Sequence, residues 1–265
     1  MEPIASETLP SVPLWLDLLA VAFGALSAAV TAEDTQRAGR RLDWLGVVIL
    51  GVAVGLGGGF MRDLLIGVPP ATMQSNWYIA AAGLSALVGM WLSMVLAKVN
   101  WLVIALDAAS LGFFAVVGTS KALAFGLEPF PAIMIGTVAA AGGGAIRDVL
   151  LQLPVGVLYA GTFYAAAALL GTSAYVLVHA NGANLATSAL VCGVITVGVR
   201  LASVRWGLSL PEQMALRLPE RPRGRSRWRK ARLVSGASAE PPTHTSQLRV
   251  IELRRDREEP DGDPG

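Results

Sequence analysis

Apolar residues fall into seven blocks along the chain, at about 13–31, 45–66, 77–97, 101–125, 131–152, 156–178 and 184–204. Each is close to the roughly 20 residues a helix needs to cross about 30 Å of hydrocarbon. Turn and interface chemistry separates the blocks: Gly39 and Asp43, Pro69-Pro70 with Gln74-Ser75-Asn76, Lys98 to Asn100, Pro129 and Pro131, Pro154, and Asn181-Gly182. Trp77, Trp91, Trp101 and Tyr159 stand near block ends, where interfacial aromatics belong. The pattern predicts an all-α polytopic membrane protein of seven transmembrane helices. A cleaved secretory signal is the other reading of the first block, with small residues at Ser27 to Val30. The segment before it carries Glu2 and Glu7 and no base, the wrong charge for a signal.

Composition agrees: 54% of the 265 residues are apolar and 15% charged, with a mean hydropathy of +0.55, too oily for an ordinary soluble domain. The charges that exist orient the chain. Arg37, Arg40 and Arg41 follow the first block, Lys98 the third, and Arg200, Arg205 and the run from Arg217 to Arg232 the seventh. Basic residues near span ends favour the cytoplasm, so the expected protein lies in the cell (inner) membrane with its N-terminus outside and its C-terminus inside. Cys192 is the single cysteine and offers neither a disulfide nor a metal site. His179 and His244 have no companions at ligand spacing, and no catalytic constellation or cofactor motif is present.

The chain repeats itself. Gly57-Gly58-Gly59-Phe60-Met61-Arg62-Asp63-Leu64-Leu65 matches Gly142-Gly143-Gly144-Ala145-Ile146-Arg147-Asp148-Val149-Leu150 at the three glycines, the Arg-Asp pair and the final leucine. Pro69 and Pro154 keep the same offset, and Leu16-Asp17 answers Leu106-Asp107. The organisation read from this is a first three-helix repeat at 1–97, a second at 98–180, a seventh helix at 181–205 and a tail at 206–265. Three is odd, so the second repeat enters from the other side and is inverted, an architecture common in transporters.

Three consecutive glycines strip side chains from a helical turn and cost about 1 kcal/mol each in propensity. One consequence is close helix packing. The other is a bend or unwound turn lining a water-filled path, the only lipid-depth setting besides burial where irregular backbone survives. Duplication of the triplet, each time followed by charges, favours the conduit. Arg62, Asp63, Arg147 and Asp148 each sit one helical turn beyond a glycine, and charges in spans usually face a partner or an aqueous path. Depth matches Asp17 with Arg62 near the outer face and Asp107 with Arg147 near the inner face, predicting two related ion pairs. The alternative pairs each arginine with its adjacent aspartate or lets it snorkel. Lys121 has no acid within a turn and fits either snorkelling or a pore role.

With its pair of Gly-Gly-Gly-x-x-Arg-Asp elements, its Leu-Asp openings and its seven spans, the chain resembles the bacterial branch of the trimeric intracellular cation channel family over about residues 13 to 205. The resemblance implies a homotrimer in which each protomer encloses an hourglass pore passing monovalent cations, chiefly potassium. Helices two and five would kink at Gly57-Gly58-Gly59 and Gly142-Gly143-Gly144, with Arg62, Asp63, Arg147 and Asp148 at or beside the constriction. Basic residues that eukaryotic members of the family carry on the fourth helix would correspond to Lys121. The same repeat also carries a glycine-transporter label, which keeps a small-solute carrier as the alternative. The chain departs from the family pattern at Ala20 to Ala25 and Ser110 to Ala115. The polybasic stretch from Arg217 to Arg232 reads as a disordered segment suited to anionic lipid, or as a topology signal alone. It has no folded module of the kind that binds nucleic acid.

Overall fold

The computed structural model describes residues 13–37, 42–95, 100–158 and 163–207. Arg40, Arg41, Lys98, Tyr159 and the Arg217 to Arg232 stretch lie outside them. The described residues form eight helices and no strand: α1 (Leu14–Arg37), α2 (Trp44–Ile66), the single turn α3 (Ala71–Gln74), α4 (Asn76–Val95), α5 (Asn100–Ala124), α6 (Pro129–Leu150), α7 (Tyr164–Ala180) and α8 (Leu185–Trp206). Five of them, α1, α2, α5, α6 and α8, are long and apolar enough to cross a bilayer, and α7 is a shorter apolar helix. The outer surface is itself oily, with Ile49, Leu64, Leu84, Leu190 and Val194 all exposed, as befits a multi-pass protein whose solvent is lipid.

Local chemistry sets the boundaries. Asp43 caps α2 by accepting from the Gly46 amide at 2.7 Å, and Asn184 caps α8 by accepting from Thr187, each satisfying an orphan amide of a helix start. The largest departure from the sequence pattern is α7. It begins at Tyr164, not near 156, because Pro154 lies in irregular chain, Gly156 sits in a turn and the Gly156 amide is engaged by Asp148.

Small residues let the helices approach, as membrane packing requires. A methyl added at Gly55 would stand 2.8 Å from the Val21 carbonyl oxygen, and one at Gly89 2.9 Å from that of Leu26. The glycine triplets do the same at the α2–α6 crossing. A methyl at Gly58 would stand 2.5 Å from the Ala139 oxygen, and one at Gly143 2.9 Å from the Val54 oxygen. Gly57 faces the Ile146 side chain while Gly142 faces the Met61 sulfur. These contacts are reciprocal: 54, 57, 58 and 61 become 139, 142, 143 and 146 on adding 85, the signature of a local two-fold axis. The expected unwound turn is therefore corrected. Both helices stay α-helical through their triplets, the space left by the missing side chains being taken by partner-helix backbone at Gly58 and Gly143 and by neighbouring side chains at the others.

Candidate functional site

Each end of this crossing carries a buried charge cluster. In the first, Arg62 is fully buried and reaches across from α2 to α1, with Nη1 donating to Asp17 Oδ1 at 3.0 Å and Nη2 to Oδ2 at 3.2 Å. Its Nε donates to Asp63 Oδ1 at 2.6 Å. Tyr78 of α4 donates to Asp17 Oδ2 at 2.9 Å, and the Ala71 amide to Asp63 Oδ2 at 2.8 Å. Lys121, late in α5, completes the group with Nζ 2.8 Å from Asp63 Oδ1.

The second cluster repeats the plan with changes. Arg147 Nη1 donates to Asp107 Oδ1 at 2.7 Å, while Nε and Nη2 both turn to Asp148 Oδ1 at 3.0 and 2.9 Å. Tyr164 of α7 donates to Asp107 Oδ1 at 3.3 Å, and the Gly156 amide to Asp148 Oδ2 at 3.0 Å. Arg200 of α8 donates from Nη2 to Asp107 Oδ2 at 3.3 Å and lies 4.7 Å from the centre of the Tyr164 ring. Ser27 of α1 accepts from Arg147 at 3.4 Å.

Both sequence-derived pairings are thus present, Asp17 with Arg62 and Asp107 with Arg147, and so is the alternative. Each arginine spans its distant and its adjacent aspartate together, because a guanidinium has five donors in a fork. Lys121 does not snorkel: it meets Asp63, 58 residues away in sequence. Arg200 is also corrected, from a topology charge after the seventh block to a member of the site inside α8. Tyr78 and Tyr164 were not singled out from the sequence. Their near-equal distance past the two triplets was the available signal.

The clusters are balanced, two carboxylates against two cations in each. Burial of charge is tolerable only with such pairing and hydrogen bonding. Asp107 and Lys121 both lie on α5, 14 residues apart, which at 1.5 Å per residue sets the clusters about 21 Å apart. By contrast, a groove of about 590 Å³ between α1, α5 and α8 is lined by Leu16, Phe113, Val116, Leu190, Val194 and neighbours and offers an ion no charge.

A family model described as Glycine transporter matches residues 14–94 and 104–180. The inner membrane protein YadS of Escherichia coli strain K12 is 32% identical over 208 residues, covering 74% of this chain and 94% of that protein. A membrane protein of Deinococcus radiodurans is 34% identical over 162 residues, 60% of this chain and 73% of its own length. Among solved structures, the TRIC trimeric intracellular cation channel orthologue from Rhodobacter sphaeroides superposes with a TM-score of 0.67 at 30% identity, covering 74% of this chain and 98% of that one. A structure determined to explain conductance through TRIC cation channels gives 0.66 at 27% identity, covering 77% and 98%.

Proposed function

The chain belongs to the family described as Glycine transporter, and from that premise we infer that it is a monovalent cation channel, preferring potassium, with one conduction path in each protomer of a homotrimer. The observation that carries this reading is the reciprocal α2–α6 crossing, closed by glycine contacts and flanked at both ends by buried charge clusters, in a fold shared with solved cation channels. In this reading every helix but the single turn α3 is a span, arranged as two inverted repeats plus α8. Helix directions support it: α1 enters the first cluster with Asp17 and reaches the second with Ser27, whereas α5 enters the second with Asp107 and reaches the first with Lys121. Gly57-Gly58-Gly59 and Gly142-Gly143-Gly144 form the constriction. Arg62, Asp63, Asp17 and Lys121 guard one mouth, and Arg147, Asp148 and Asp107 the other. The charges lie toward the two ends, not in a mid-depth binding pocket, which suits a passive path.

The second reading is a small-solute carrier that rocks about the crossing, favoured by the matched family's description. Single-channel recording of the purified protein in planar bilayers with asymmetric potassium and sodium separates the two. Unitary currents reversing near the potassium potential, and altered by Gly58→Ala or Gly143→Ala, are expected. Electrical silence together with saturable glycine uptake into liposomes overturns the channel.

A further inference from the structure

The two clusters obtain their second cation in different ways. In the first it is Lys121, 14 residues after Asp107 on α5, bound to Asp63 of α2. The matching place on α1 is 14 residues after Asp17, and Thr31 stands there without charge, its hydroxyl donating to the Ser27 carbonyl at 2.8 Å. Repetition alone would leave the second cluster one cation short. Arg200 supplies it from α8, the helix outside the repeats, and from a different direction: it binds Asp107, whereas the equivalent of Lys121 would bind Asp148. The fork of Arg147 accordingly falls on Asp148, where that of Arg62 falls on Asp17. Among the described residues, Arg200 Nε and Nη1 are buried without a hydrogen-bond partner. A half-satisfied guanidinium is a poor stabiliser.

We propose that Arg200 is a conductance-setting charge, placed by α8 to neutralise the second mouth and so to match it in charge to the first. This rests on the channel reading above. Its chemistry is long-range: an unbalanced negative charge at a mouth concentrates cations there and raises entry from that side.

The test is single-channel recording in symmetric potassium at low ionic strength, where such fields are least screened, on wild type, R200Q, R200K and R200Q combined with Thr31→Lys. R200Q is expected to raise cation current entering at the second mouth about two-fold, so that the current–voltage relation rectifies. R200K, which keeps the charge but not the planar stack on Tyr164, is expected to conduct like wild type. Thr31→Lys in the R200Q background is expected to remove the rectification by restoring the repeat-equivalent cation. R200Q currents equal to wild type, or R200K shifted as far as R200Q, overturn the proposal. If R200Q does not fold, a folded and wild-type-like double variant supports it, and a misfolded one overturns it. A silent wild type is a different failure, that of the channel reading itself.

Discussion

At the scale of single residues, the site is a set of charges that tolerate burial only together. Arg62 is wholly buried and holds two carboxylates, so Arg62→Ala leaves Asp17 with no cation and Asp63 with Lys121 alone, and is expected to cost about 3–5 kcal/mol. Thermal melting in detergent checks this, and Arg62→Lys is expected to recover only part of the loss, since an ammonium cannot reproduce the fork. A second prediction concerns backbone. Gly67 ends α2 at φ 81°, and Gln152 holds the equivalent place after α6 at φ 53°. The bonds match too, Val68 N to Asp63 O at 3.0 Å and Leu153 N to Asp148 O at 2.8 Å, the Schellman arrangement that favours glycine. Gln152 is exposed, so Gln152→Gly is expected to stabilise the protein by about 1 kcal/mol, read as a raised melting temperature. Sequence reasoning reached the Asp–Arg pairs because depth along two neighbouring spans is legible from block boundaries. It missed the Lys121–Asp63 contact because that pair joins helices from different repeats, and a linear pattern does not say which helices touch.

At the scale of elements, the triplets are better described as contact surfaces than as breaks. Their six positions are not equivalent. A methyl at Gly144 would collide with the Tyr164 hydroxyl, the group that donates to Asp107. At the repeat-equivalent Gly59 the nearest groups, Thr72 Cγ2 at 3.8 Å and Arg62 Nη2 at 3.9 Å, leave ordinary van der Waals room. Gly59→Ala is therefore expected to be neutral or slightly stabilising, by up to about 1 kcal/mol from helix propensity, while Gly144→Ala destabilises by about 1–3 kcal/mol through overpacking. Melting the two variants side by side tests this, and equal losses would show that the triplets act through backbone flexibility instead. The repeat itself was legible because identical residues recur at one offset. The difference between Gly59 and Gly144 was not, since it depends on Tyr164, which reaches the triplet only once α7 folds back on α6.

At the scale of the whole molecule, the fold class was readable because seven apolar blocks of span length leave little else for an oily chain to do. The start of α7 was misplaced because hydropathy does not register that Asp148 draws the Gly156 amide into a turn. Orientation is the largest remaining consequence of the sequence. Arg37, Arg40 and Arg41, Lys98, and Arg205 with the Arg217 to Arg232 run all follow odd-numbered blocks, so seven crossings place every basic cluster on one side. Arg200 no longer counts toward that bias, since it is committed to Asp107, yet Arg205 and the tail remain. The prediction is a cytoplasmic C-terminus: a fluorescent protein fused after Gly265 should fold and glow in bacterial cells, and alkaline phosphatase fused there should stay inactive. Fusions after Asn181, in the break between the sixth and seventh blocks, should give the opposite pair of results. Active phosphatase at Gly265 would require an inverted insertion, loss of an earlier span or failure of the seventh block to cross, and the Asn181 fusion separates the last of these from the other two. With inversion or with loss of an earlier span, both sites change side. If the seventh block alone fails to cross, Asn181 stays outside, and Arg200 could not then reach Asp107 from within the bundle.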